Sequence, residues 1–254
     1  MNDACLEVAD AACLPLDSEV ADLILTSPPY GLDKDYGGED DDALAWMEHL
    51  YAWLREAFRV TRERGRLALN VPLDTTRGGF RPTYAEAVRE ALAAGWTYRS
   101  SIVWEDDHIT KTTARGSVDS ASAPHVIARV EMIALFSKGR WGQGRLASES
   151  DLTHEEWLAW TNGLWRIPSE SHAWERHPAA FPEELARRLI TLLSFPGDLV
   201  VDPFVGSGTT VVVAERLGRR GRGFDQSADY VASSRRRLAA AREGMDVGTQ
   251  EARA

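Results

Sequence analysis

Short apolar runs alternate along the chain with longer stretches in which apolar residues recur every three or four positions. That alternation predicts an α/β protein. Residues 6–9 (Leu-Glu-Val-Ala) read as a short strand ending at Asp10, and 21–25 (Ala-Asp-Leu-Ile-Leu) as a buried one. Leu44, Met47, Leu50, Leu54 and Phe58 are spaced for one face of a helix over about 43–60, widened by Trp46 and Trp53 and capped by Asp42. Gly65 then reads as a break, with a strand over 66–71 beyond it. A helix over 84–94 closes on Gly95, and strands follow at 96–104 and 130–137. The rhythm returns at a helix over 182–194 with Pro182 in its first position. A strand at 199–201, a helix reaching Leu217, a strand ending at Asp225 and a helix over 228–242 complete the pattern, leaving a frayed tail.

Three stretches depart from it. Residues 31–42 combine glycines with six acidic side chains and read as a surface loop, either a lid or plain solvated chain. Residues 105–129 form a long loop rich in Ser, Thr, Ala and Gly, a length that usually carries function. Residues 139–176 hold Trp141, Trp157, Trp160, Trp165 and Trp174. They read either as a base-stacking insert or as a small satellite core, since tryptophan is mostly buried on one side.

The composition, 44% hydrophobic and 27% charged over 254 residues, is that of an ordinary globular chain. No run approaches a membrane span and no signal pattern opens the sequence, so a cytoplasmic location without membrane contact is expected. The net charge of −10 argues against nucleic-acid binding by bulk charge, yet leaves room for a local basic face. Cys5 and Cys13 are too few for a disulfide framework, no Cys/His set has metal-ligand spacing, and no metal is expected.

Two stretches carry chemistry. Thr26-Ser27-Pro28-Pro29-Tyr30 follows the apolar run at 21–25. Its prolines stop the strand and leave the Ser27 and Pro28 carbonyls free at the sheet's C-terminal edge, with the flat ring of Tyr30 beside them. Such a set suits a planar base with an exocyclic amine, and by itself it also suits a plain loop with a packed tyrosine. Far downstream, Asp202-Pro203-Phe204-Val205-Gly206-Ser207-Gly208-Thr209-Thr210 runs from a strand through a glycine turn into a helix, the arrangement that holds a nucleotide-like ligand. No Lys follows the glycines, so phosphate transfer is disfavoured. Asp225 ends the next strand, where a carboxylate takes ribose hydroxyls. Asp202 and Phe204 suit a ligand with a positive group and an adenine, as S-adenosylmethionine has.

Together these stretches resemble the amino-methyltransferases of DNA, with the base motif before the cofactor loop as in the permuted β class. Asp10-Ala11 resembles the family's adenine-contacting acid. Residues 131–139 resemble its penultimate strand. His177-Pro178-Ala179-Ala180-Phe181-Pro182 resembles the segment packed over the cofactor. The resemblance implies a doubly wound, mostly parallel seven-stranded sheet with one reversed strand, circularly permuted. It implies a substrate-binding half over 1–138, a recognition insert over 139–176, a cofactor half over 177–243 and a tail over 244–254. The cofactor implied is S-adenosylmethionine, held by Asp10, Ala11, Thr26, His177, Pro178, Phe181, Asp202, Pro203, Phe204, Gly206, Ser207, Gly208, Thr209 and Asp225. Ser27, Pro28, Pro29 and Tyr30 are the implied catalytic set.

The family usually carries Asp at the first motif position in adenine-N6 enzymes and Ser in cytosine-N4 enzymes, so Ser27 favours cytosine-N4, with adenine-N6 as the alternative. The implied substrate is a flipped base of duplex DNA. A cognate restriction endonuclease and a homodimer are further expectations. Cytosine-C5 chemistry is rejected because neither cysteine follows a proline. An RNA or protein-glutamine methyltransferase is disfavoured by motif order. A non-catalytic DNA-binding subunit is disfavoured by the intact Ser27, Tyr30, Gly206, Gly208 and Asp225.

Overall fold

The computed structural model describes residues 5–29, 43–75, 81–105, 117, 120–124, 126, 128, 130–168 and 182–251. Within them the chain builds one twisted sheet with helices on both faces. Its strands are β1 (Leu6–Val8), β2 (Ala21–Thr26), β3 (Thr61–Pro72), β4 (Thr97–Glu105), β5 (Val130–Ser137), β6 (Leu164–Arg166), β7 (Leu199–Asp202) and β8 (Arg220–Asp225). The helices are α1 (Ala43–Val60), α2 (Thr83–Ala93), α3 (His154–Trp160), α4 (Glu183–Leu193), α5 (Thr209–Arg216) and α6 (Ala228–Glu251).

The strand order is β1-β8-β7-β2-β3-β5-β4-β6. Every pairing is parallel except those of β5, which runs antiparallel to both β3 and β4. The doubly wound sheet with a single reversed strand is thus present, and so is the permutation. β1 pairs with β8, joining Glu7 to Phe224 across nearly the whole sequence.

Strand alternation divides the core. Ile24, Leu67, Leu69, Phe136 and Val201 face α1 and α2, where Leu50, Trp53, Leu54, Ala87 and Ala91 meet them. Leu23, Leu25, Ala68, Ile133, Leu135 and Val200 face the other way, against Leu185, Leu189 and Ile190 of α4. A smaller cluster of Leu6, Val205, Val211, Val212, Val231 and Leu238 closes the β1 edge under α5 and α6. Strands buried on both faces read as near-continuous apolar runs, as Leu23-Ile24-Leu25 does in β2.

Three elements differ from the sequence reading. The sheet has eight strands, because part of the tryptophan-rich stretch adds β6 beside β4. Trp160, Trp165 and Ile167 then pack with Trp104 in the α4-side core. Two indoles are anchored by their N–H groups: Trp104 donates to the Ile167 carbonyl at 2.8 Å and Trp165 to that of Trp160 at 3.1 Å. Gly65 does not break the chain; it lies inside β3, where the register with β2 shifts. A Cβ there would sit 2.4 Å from Thr61 Cγ2 and 3.0 Å from the Ala21 carbonyl, so glycine serves close approach between strands. The last helix continues to Glu251, past the expected end at Arg242, because no proline follows to stop it.

Candidate active site

The parallel strands β2, β7 and β8 end on one edge of the sheet, and the two motifs leave from β2 and β7. They are tied at their roots. Thr26 Oγ donates to Asp202 Oδ1 at 2.7 Å, in a site where Thr26 is fully buried and Asp202 is 3% exposed. The same carboxylate accepts from Thr210 Oγ at 2.7 Å and from the Phe204 amide at 3.1 Å. Asp202, expected to meet a positive group of the ligand, is therefore turned inward and engaged by the fold. Burial raises its carboxyl to about 6, against the hydroxyls of Thr210 and Thr26, which lower it.

The glycine turn is held from behind. Gly206 and Gly208 have φ of 47° and 84°, left-handed values that side chains resist. A Cβ on Gly208 would also lie 3.0 Å from Ser234 Cβ. Ser234 Oγ donates to the Gly206 carbonyl at 2.6 Å, and Arg237 donates to the Ser207 carbonyl at 3.1 Å and Thr209 Oγ at 2.9 Å. The Gly206 amide points to Asp225, donating to its Oδ2 at 3.1 Å, while Ser227 N donates to Oδ1 at 2.9 Å. Each Asp225 oxygen takes one of these backbone donors, and each still has acceptor capacity. Burial pushes the Asp225 carboxyl up, with those two amides pulling the other way.

Between these parts lies a hollow of about 710 Å³, its open mouth included. Ala11, Ser27, Pro28, Pro29, His49, Pro203, Phe204, Asp225, Gln226, Ser227 and Tyr230 line it. The lining offers one convergent carboxylate among apolar and aromatic walls. Phe204 is braced edge-on by Trp53, ring centroids 5.3 Å apart.

Of the expected site residues, Ala11, Ser27, Pro28, Pro29, Pro203, Phe204 and Asp225 thus share one hollow. Gly206, Ser207, Gly208 and Thr209 form the turn behind it, and Thr26 the tie. Asp10 sits in an exposed turn, its Oδ1 accepting from Ala12 N at 2.9 Å. Tyr30, His177, Pro178 and Phe181 lie outside the described residues, as do 31–42 and most of 105–129.

The sequence reading missed His49, Gln226, Ser227 and Tyr230. Gln226 and Ser227 were within reach, since they follow Asp225 into the N-terminus of α6; His49 carried no signal among the residues of α1. It also missed Asn70 of β3. Asn70 is 1% exposed, and its Nδ2 lies 3.4 Å from Ser27 Oγ and 2.6 Å from Glu131 Oε2 of β5.

Comparison with known proteins agrees with this geometry. The N6/N4 family model described as DNA methylase matches residues 21–236. The chain is 45% identical over 159 residues to the Type II methyltransferase M.MjaVI of Methanocaldococcus jannaschii, covering 61% of this chain and 81% of that protein. It is 27% identical over 244 residues to the DNA adenine methyltransferase YhdJ of Escherichia coli K12, covering 88% and 78%. Among solved structures, a candidate DNA modification methylase of Thermus thermophilus, TTHA0409, superimposes in its complex with S-adenosyl-L-methionine. The TM-score is 0.72 at 28% identity, over 92% of each chain.

Proposed function

The chain belongs to the N6/N4 family of DNA methyltransferases, which use S-adenosylmethionine, and from that premise we propose that it methylates the exocyclic N4 of cytosine in duplex DNA. One observation carries the reading: the Thr26–Asp202 bond roots both motifs together, so that Ser27 and Asp225 line the same hollow. Serine rather than aspartate at the first motif position is what favours cytosine.

Asp225 is suited to accept from the cofactor's ribose hydroxyls, with Ala11 and Phe204 as apolar walls for its adenine. When bound, S-adenosylmethionine supplies an electrophilic methyl group. The protein's own part is alignment. An exocyclic amine is a poor nucleophile, because its lone pair is delocalised into the ring. Ser27 Oγ and the Pro28 carbonyl, accepting its hydrogens, favour a more tetrahedral nitrogen with its lone pair directed outward. Most of the acceleration then comes from positioning and fixed dipoles. A stacked base has to leave the duplex to reach this edge, at a cost of a few kcal/mol. Tyr30, next in the chain after Pro29, is assigned the face that offsets part of it, ~1–3 kcal/mol per stacked base.

Incubation of the protein with duplex DNA and S-adenosylmethionine, followed by nucleoside mass spectrometry, tests the reading. N4-methylcytosine is the expected product. The similarity to an adenine methyltransferase over most of the chain favours a second reading, adenine-N6, which would appear as N6-methyladenine. Absence of both products, with cofactor bound, would point to a non-catalytic subunit. The proposal extends to a cognate restriction endonuclease, tested by whether methylated DNA resists cleavage. It extends also to two copies sharing one DNA site, tested by the mass of the protein–DNA complex in solution.

A further inference from the structure

Gly206 and Gly208 reach their left-handed φ of 47° and 84° without strain, but glycine reaches many other conformations as freely. A turn left to itself would have to be ordered by its ligand, and that cost would oppose binding. A tight site needs one shape selected beforehand.

One face of α6 makes that selection. Ser234 and Arg237 are three positions apart, so both leave the helix on the same side. Ser234 is fully buried, and its Oγ donates to the Gly206 carbonyl at 2.6 Å. Arg237 Nη1 donates to the Ser207 carbonyl at 3.1 Å and to Thr209 Oγ at 2.9 Å, and lies 3.4 Å from Ser207 Oγ. Two successive carbonyls of the turn are thus drawn toward α6. In a planar trans peptide the carbonyl and the next amide N–H point opposite ways, so the bond to Gly206 also turns the Ser207 amide away from α6. The Gly208 amide, next in line, closes on the Val205 carbonyl at 2.8 Å.

The other arm of the guanidinium reaches further. Arg237 Nη2 donates to Glu183 Oε1 at 2.5 Å, and Glu183 opens α4. Arg216 of α5 donates to the second oxygen of that carboxylate at 2.6 Å. A single rigid fork on α6 therefore ties the turn to α4, a span that the point charge of a lysine would not make. The adjacent arginines serve elsewhere: Arg235 donates to the Leu6 carbonyl at 2.6 Å, and Arg236 is exposed.

We propose that Arg237, together with Ser234, is a positioning residue for the cofactor. It holds the glycine turn in the shape that binds S-adenosylmethionine and takes no part in the methyl transfer. The inference rests on the reading of this turn as the cofactor's seat, and it is independent of which base is methylated. It carries a specific signature. Without the brace the turn has to be ordered when the cofactor binds, so affinity falls. With the cofactor in place the turn is ordered again, so turnover at saturation holds.

The test compares cofactor titration with kcat on DNA at saturating cofactor. Arg237→Met keeps the length of the side chain and removes its donors, while Arg216 still faces Glu183. The Kd for S-adenosylmethionine, and for its demethylated product S-adenosylhomocysteine, should rise roughly 10- to 100-fold, the range of hydrogen bonds from a charged group. The kcat should stay within about twofold of the parent, the mark of lost uniform binding and of an intact fold. Arg236→Met removes the same charge one position away and should bind as the parent does; an equal loss there would assign the effect to charge and overturn the brace. Parent-like affinity in Arg237→Met overturns the brace and leaves the cofactor site standing. A kcat that falls as far as the affinity overturns it too, because the residue would then act in the chemistry or in the fold at large. A parent protein that binds no S-adenosylmethionine overturns the cofactor reading and the brace together.

Discussion

At the scale of single residues, the Asp202 carboxylate is the knot of the site. Three donors converge on it in the interior, and two come from side chains on either side of the glycine turn and the base motif. Thr26→Val keeps the shape and removes one of them. Hydrogen bonds to a charged group contribute about 1.5–3 kcal/mol, and a denaturant titration should show a loss of that order. An unchanged midpoint would mean that the tie is not made in solution. The carboxyl also gives a pH signature. Its value rises on folding from 3.8 to about 6, so the native chain holds this proton more tightly than the unfolded one. The stability it confers is full below 3.8 and is lost as pH rises through about 6. Asp202→Asn removes that dependence. The unfolding free energy of the variant, relative to the parent, should therefore rise between about pH 4 and 6.5, and a flat difference would contradict the burial of the charge. From sequence, Asp202 was legible as a site residue but not as one facing inward, because direction depends on the hydroxyls that surround it.

At the scale of elements, glycine shows how far local reading reaches. Gly206 and Gly208 were legible because a strand, a turn and a helix follow one another within a short stretch. Gly65 was misread as a break, because its reason lies in the facing strand rather than in its own neighbours. Gly223, inside β8, is a comparable case: a Cβ would lie 2.5 Å from Val205 Cγ2 and 2.8 Å from Leu6 Cδ2. Gly223→Ala should thus push on the loop just before Gly206. We expect a loss of roughly 1–3 kcal/mol, the usual cost of overpacking, measured by chemical denaturation, with weaker cofactor binding. Unaltered stability would show that the loop gives way freely. α1, in contrast, was readable almost to the residue, since an amphipathic helix writes its period into its own sequence.

At the scale of the molecule, the permutation sets the first strand beside the last one, β8, which ends at Asp225. β1 covers the edge of β8, the Ala9 amide donates to the Asp225 carbonyl at 3.1 Å, and Arg235 of α6 donates to the Leu6 carbonyl. Removing residues 1–9 should therefore cost at least the roughly 2–5 kcal/mol of a fully buried leucine. It should also weaken cofactor binding at Asp225, at the opposite end of the sequence; a truncated protein that binds as the parent does would break this link. The sequence by itself determined the kinds of element, the two motifs and their order, because periodicity and turn chemistry are local properties of the chain. The tertiary structure alone decided the neighbours: β6 at the sheet edge, Asp202 turned inward, Asn70 and Glu131 beside Ser27. Those contacts depend on strand order and register, which are set by how apolar faces from the whole chain pack together and leave no trace in any one stretch.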